Sequence, residues 1–146
     1  MSSPAPPLFT LLYVSALAPS AQLSDVADIA KKGRPRNQQD GISGLLVFDG
    51  CSFVQLVEGP QDAIAALLER LTLDTRHTDI DVLIFEHTGG ERRFWGWDLG
   101  YHFADDEGYE LALLRGLSSA EALAKFEAIQ AQANTFAATA MPLQAS

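Results

Sequence analysis

The 146-residue chain carries 10 Lys and Arg against 19 Asp and Glu, a formal net charge of -9, with 47% hydrophobic and 20% charged residues. That length suits one domain, the composition excludes a wholly disordered chain, and the charge argues against nucleic acid, whose binders concentrate Lys and Arg on one face. The single cysteine, Cys51, excludes an intramolecular disulfide and fits a cytoplasmic protein, Met1 to Pro7 lacks the basic start of a signal peptide, and no apolar run approaches the roughly 20 residues of a membrane span.

Leu8 to Ser15 reads as a first strand. Phe9 and Leu11 fall on one face and Leu12 and Val14 on the other, so this strand is expected to be central and covered on both sides. Ser24 is placed to cap a helix in which Leu23, Val26, Ala27 and Ala30 recur at helical spacing, with Ile29 beside them. Gly33 and Pro35 are expected to end it, because proline disfavours helix in the residue before it. Ile42 to Phe48 and Ser52 to Glu58 flank Asp49-Gly50, a hairpin signal. Pro60 suits the first turn of a second helix with the apolar stripe Ile64, Leu67, Leu68 and Leu71. Ile80 to Phe85 is a fourth strand and Phe94 to Tyr101 a fifth, with Gly89-Gly90 turning between them. The order βαββαββ predicts a ferredoxin-like α+β sheet with two helices on one face. A helical stretch from about Asp105 to Ala133, with Leu111, Leu114, Ala120, Leu123 and Phe126 apolar, is expected to cover the other face. Residues 1–7 and 136–146 are expected to be disordered, leaving a core domain over 8–103 and a helical extension over 104–135.

The informative residues are polar ones where the pattern predicts core. Gln55 lies between Phe53 and Val57 on one face of the third strand. A buried, unpaired amide costs roughly 1–3 kcal/mol, so Gln55 needs partners. Tyr13, near the end of the first strand, needs one for its hydroxyl. Each also has an ordinary structural reading: an edge glutamine, and a core tyrosine with a wet tip. Asn37 reads as a turn asparagine, Arg70 as a solvated arginine and Asp74 with His77 as a loop pair. Trp95 and Trp97 read as core or interface. His77, His87 and His102 lack ligand-like spacing, so no metal is expected. No phosphate loop, nucleophile elbow or paired-cysteine motif is present.

In combination these residues resemble the BLUF family, the sensors of blue light using flavin, in its short single-domain form. The resemblance covers about residues 8 to 103. It rests on Leu11 to Ser15, on Asn37 to Phe48 (Asn-Gln-Gln-Asp-Gly-Ile-Ser-Gly-Leu-Leu-Val-Phe), and on Phe53 to Gly59. Asp74 to His77 and Arg92 to Trp97 follow in the right order.

The resemblance implies an FAD cofactor and a role for each matching residue. Tyr13 matches the photoactive tyrosine, and Gln55 the glutamine bonded to both that tyrosine and the flavin ring. Asn37 matches the asparagine on the flavin carbonyl edge, and Ile29 and Leu71 the apolar residues that sandwich the ring. Arg70 matches a basic position near the ribityl-phosphate, and Asp74 and His77 the loop under the ring. Trp97 matches a tryptophan associated with signalling. Leu99 stands where most members carry methionine, and Arg36 where an asparagine often precedes Asn37. The implied mechanism is transfer of an electron and a proton from Tyr13, their return, and a Gln55 left rotated or tautomerised, with a small, reversible red shift.

The residues after Tyr101 are too few for a cyclase or phosphodiesterase domain. Output is therefore expected through an unknown partner protein or a change in a homo-oligomer, with Leu123, Phe126 and Ile129 as a self-contact. Three alternatives stay open: a small hydrolase binding an anion through Arg36 and Asn37, a ligand-free interaction module, and a flavin redox enzyme.

Overall fold

A computed structural model describes residues 8–88, 92, 100–103 and 111–137. The elements run β1 (Phe9–Leu17), α1 (Leu23–Asp40), β2 (Ser43–Phe48), β3 (Ser52–Gly59), α2 (Gln61–Leu73), β4 (His77–His87) and β5 (Gly100–Phe103). A 3-10 turn (Leu111–Gly116) and α3 (Ser119–Ala137) follow. The sheet order is β4-β1-β3-β2-β5. The first four strands are antiparallel and β5 joins parallel to β2. This is the expected ferredoxin-like α+β order, with a fifth strand added at the β2 edge. Of the expected fifth strand, the residues before Gly100 lie outside the described residues, as do the Gly89-Gly90 turn, Trp95, Trp97 and Leu99.

β2 and β3 are buried along their whole length, and β1 along most of it, because both faces of the sheet are covered there. On one face Leu12, Val14, Leu45, Val47, Val54, Leu56 and Ile84 meet Leu111, Leu114, Ala122, Phe126 and Ile129. On the other, Phe9, Leu11, Tyr13 and Val57 meet Ile64, Leu67 and Leu71 of α2. Beside them Leu46, Phe48 and Phe53 meet Val26 and Ala30 of α1. Phe126 and Ile129, expected as a self-contact with Leu123, are therefore already buried against the chain's own sheet, and Leu123 packs on the same cluster.

Two expectations for α1 are corrected. The helix begins at Leu23, before Ser24, and its N-cap is Gln22, whose backbone N–H donates to the Asp25 carboxylate at 2.8 Å. Nor does it stop at Gly33 and Pro35. It runs to Asp40 and is capped by Gly41 at φ 73, while Ile42 N–H donates to the Asn37 carbonyl at 2.8 Å. Proline inside a helix costs about 3 kcal/mol. Packing of Val26 and Ala30 under the sheet and the left-handed glycine cap outweigh that local signal. Ala27, assigned to the apolar stripe, is exposed.

The partners of β1 shift between Leu12 and Tyr13, from Ile84 to Val82, so Leu83 bulges out of the β4 ladder beside Tyr13. At the far end of the sheet Thr10, Glu58 and Ser43 stand opposite one another on three strands. Ser43 donates to the buried Glu58 carboxylate at 3.3 Å. Arg92 donates to the Ser43 hydroxyl at 2.9 Å and to the Gly41 carbonyl at 2.7 Å. These bonds tie Arg92 to the end of α1 and the start of β2.

Phe126 is fully buried between α3 and the sheet. Phe126→Ala is expected to lower the unfolding free energy by about 3–5 kcal/mol in a urea titration. A change near zero would mean that α3 does not dock on the sheet.

Candidate functional site

The register of β1 on β3 places Tyr13 directly opposite Gln55. The Tyr13 hydroxyl donates to Gln55 Oε1 at 2.5 Å, with both residues buried. Burial, then the Asp74 carboxylate, pushes the Tyr13 phenol far above its usual range, so it stays protonated and acts as the donor. The Gln55 amide nitrogen has no hydrogen-bond partner among the described residues, and Gln55 lines a cleft of about 260 Å³.

Tyr13 and Gln55 border this cleft from the sheet. From α1 come Ile29, Lys32, Gly33, Arg36 and Asn37. These positions share a helix face at i, i+3, i+4, i+7 and i+8, which exists only because α1 continues past Pro35. From α2 come Leu67, Arg70 and Leu71, and from the turn into β4 come Asp74, Arg76 and His77. All the expected cofactor-binding residues, Ile29, Asn37, Gln55, Arg70, Leu71, Asp74 and His77, thus meet Tyr13 at one cleft. Trp97 and Leu99, the expected signalling residues, lie outside the described residues.

Four lining residues were missed. Lys32 and Gly33 follow Ile29 at helical spacing and Leu67 precedes Leu71 by one turn, so spacing held the signal. Arg76 sat inside the Asp74–His77 motif, with no cue to its role. Asn37, read as a turn residue, is buried in the last turn of α1. His77, read as a loop residue, opens β4 and is buried.

Four of the chain's ten Lys and Arg surround this cleft: Lys32, Arg36, Arg70 and Arg76. Burial, and then repulsion from Arg36, lowers the Arg70 pKa, against a smaller opposing pull from Asp40. An anion placed between these guanidiniums would relieve that repulsion. Asp74 lies well below the usual carboxylate range, chiefly because Arg76 hydrogen-bonds it. His77 Nδ1 is 3.0 Å from the Ser15 hydroxyl, and its ring packs on Phe53 at 4.7 Å. Burial lowers the His77 pKa below 6.5, with Asp74 raising it and Arg76 lowering it by less. The ring is therefore neutral at pH 7, and its 3.9 Å separation from Asp74 is not a charged pair.

The residues fit a flavin. Apolar side chains on two facing helices suit the flat ring, the unused Gln55 donors suit an edge of acceptors, and the cations suit a phosphate tail. The volume lies near the lower end of ligand pockets, about 300 Å³, which suits a ring system more than a whole dinucleotide. Among the described residues no cluster of His, Cys, Asp and Glu fits a metal, and no helix is long and apolar enough to cross a membrane.

Residues 8–100 match the model of the family described as sensors of blue-light using FAD, BLUF. The chain belongs to the BLUF family. The chain is 30% identical over 104 residues to the blue light- and temperature-regulated antirepressor BluF of Escherichia coli (strain K12), covering 68% of this chain and 26% of that protein. It is 42% identical over 74 residues to photoactivated adenylate cyclase subunit beta of Euglena gracilis, covering 50% of this chain and 8% of that one. The chain thus spans about a quarter of the first relative and under a tenth of the second. The dark-state structure of the BLUF protein BlrB superimposes with a TM-score of 0.73 at 29% identity, over 88% of this chain and 98% of that one. Klebsiella pneumoniae BlrP1 with FMN and cyclic diGMP gives 0.61 at 30% identity, over 72% of this chain and 27% of that one. As a BLUF domain the chain is a flavin-based light sensor, and BLUF domains are not themselves enzymes. Membership sets aside the hydrolase and ligand-free readings.

Because the folded-state pKa of His77 lies below its unfolded value, protonation favours the unfolded chain. The stability contributed by neutral His77 is present above pH 6.5 and lost as pH falls through the folded pKa. His77→Gln is expected to flatten the acid limb of a plot of stability against pH below about 6.5, measured by urea unfolding. An unchanged acid limb would show that His77 is not the group being titrated.

Proposed function

We propose that this BLUF domain holds FAD in the cleft between α1 and α2 and signals by switching the Tyr13–Gln55 hydrogen bond. The observation that carries this is the buried Tyr13–Gln55 bond, with Gln55 lining the cleft. FAD is preferred because the family description names it and four cations suit a pyrophosphate. Ile29 and Leu71 would flank the ring, and Asn37 and Gln55 bond its carbonyl edge. Asp74 and His77 would lie along the opposite edge, and Arg70 with Arg36 near the phosphates.

When bound, the flavin would supply blue-light absorption and a photoexcited acceptor for one electron and the phenol proton of Tyr13, both of which it returns. The chain supplies the switch. Once the Tyr13 proton leaves the bond, Gln55 Oε1 has lost its donor. The amide carries a donor at one end and an acceptor at the other, so rotation exchanges them. Nε2 then donates to the Tyr13 oxygen and Oε1 turns to the cleft. Returning the proton to Tyr13 leaves a different hydrogen bond and no net reaction. Such an exchange changes one or two bonds of about 0.5–1.5 kcal/mol each. A complete two-state swing needs about 5.5 kcal/mol, so the output is a partial population shift. Trp97, Leu99 and the C-terminal helices form the responding element. They act on a cytoplasmic partner protein or on a homo-oligomer whose contact is not the buried Phe126 face.

The test is the visible spectrum of the purified protein before and after a blue flash. Flavin bands that shift slightly to the red and return in the dark are expected. Tyr13→Phe is expected to stay yellow and lose the shift. A protein that remains colourless with added FAD overturns the flavin reading. A Tyr13→Phe variant that shifts normally overturns the switch alone.

A further inference from the structure

The two helices that wall the cleft belong to different halves of the fold, and one side chain bridges them. Arg76, between α2 and β4, grips Asp74 with Nε on Oδ1 at 2.9 Å and Nη2 on Oδ2 at 2.8 Å. Its backbone N–H also donates to Asp74 Oδ1, at 3.0 Å. The remaining Nη1 crosses to Asp28 Oδ2 on α1, at 3.3 Å. Asp28 precedes the cleft residue Ile29, and its Oδ2 is shared with Lys32 Nζ at 3.2 Å.

These attachments are unequal. On Asp74 the guanidinium makes a two-point, charge-assisted grip reinforced by the backbone. On Asp28 it makes one longer bond to an oxygen that a second cation also uses. The Arg76 and Asp28 side chains are 31% and 38% exposed, so salt reaches the pair. Moving α1 away from the α2–β4 corner would break the Asp28 contact first and leave the guanidinium hinged on Asp74.

We propose that Arg76 is a strap between the two walls of the cleft, hinged at Asp74 and caught at Asp28, and that the catch sets how long the flavin stays bound. This rests on the flavin reading above. Asp28 is a positioning residue: it need not touch the ligand, and it acts by holding Arg76 closed. The catch also explains why an otherwise acidic chain keeps Asp28 beside a cationic cleft, since the same carboxylate that fastens Arg76 also pairs with Lys32.

The test uses riboflavin, which carries no phosphate, so changing the charge at the rim does not act on the ligand directly. Its dissociation from the full chain is followed by flavin fluorescence at low salt and at about 1 M salt, where screening reaches about 3 Å. An exposed pair of this kind supports a two- to fivefold effect, roughly. Asp28→Asn is expected to release riboflavin faster by that factor at low salt. The unmodified chain is expected to release it faster as salt rises, the Asp28→Asn variant to lose that dependence, and Asp28→Glu to restore both. Equal release rates with equal salt dependence in the unmodified chain and Asp28→Asn overturn the strap while leaving flavin binding intact. A chain that binds neither riboflavin nor FAD overturns the flavin reading and the strap with it.

Discussion

The site depends on the register between β1 and β3. Because the two strands pair Phe9 with Gly59 and continue without a break to Ala16 and Ser52, Tyr13 and Gln55 are direct cross-strand neighbours on the face covered by α1 and α2. A slip of one residue would turn every side chain of a strand to the opposite face. Both faces are buried here, so such a slip would drive Tyr13 into the apolar layer under α3 and Val14 into the cleft. The fit of Leu12, Val14, Val54 and Leu56 against that layer is therefore what holds the phenol opposite the amide. Packing on one side of the sheet fixes a polar bond on the other.

The second constraint is electrostatic. A chain with a net charge of -9 gathers four cations around one cleft, three of them arginines. Asp74 and Asp28 tie one of those arginines down, whereas Arg70 is left repelled by Arg36. The cleft therefore has a neutral, hydrogen-bonding floor at Tyr13, Gln55 and His77 and a positive rim. A ligand with an uncharged ring and an anionic tail satisfies both at once.

Much of this was legible in the sequence because apolar alternation reports strands covered on both faces, and a glutamine or tyrosine inside that alternation is visible at once. The element order and the residues of the cleft follow from that and from the family motifs. The end of α1 was not legible. Gly33 and Pro35 are strong local stop signals, and only the burial of Val26 and Ala30 with the cap at Gly41 shows that the helix continues. Asn37 therefore passed for a turn residue. The roles of Arg76 and Lys32 were hidden for another reason. Charges on a helix or turn look solvated in sequence, and the contact between Asp28 and Arg76 joins residues far apart in the chain. The C-terminal helix was expected to cover the sheet. Only the choice between that role and a self-contact for Phe126 and Ile129 was open, since a helix that covers a sheet and one that pairs with a second copy carry the same apolar pattern; both residues are buried on the sheet.

The irregular strand β4 has a consequence of its own. It is an edge of the sheet, and its pairing with β1 is broken at two points. It also holds Asp79 at a positive φ of 53 and carries Asp79, Asp81 and Glu86. Bulges and charges along an edge are what keep sheets from zipping into one another. Val82 and Phe85 are exposed on this strand and would otherwise invite such stacking. The broken ladder and the charges along it thus make this edge a poor template for a second sheet, although apolar side chains are exposed there.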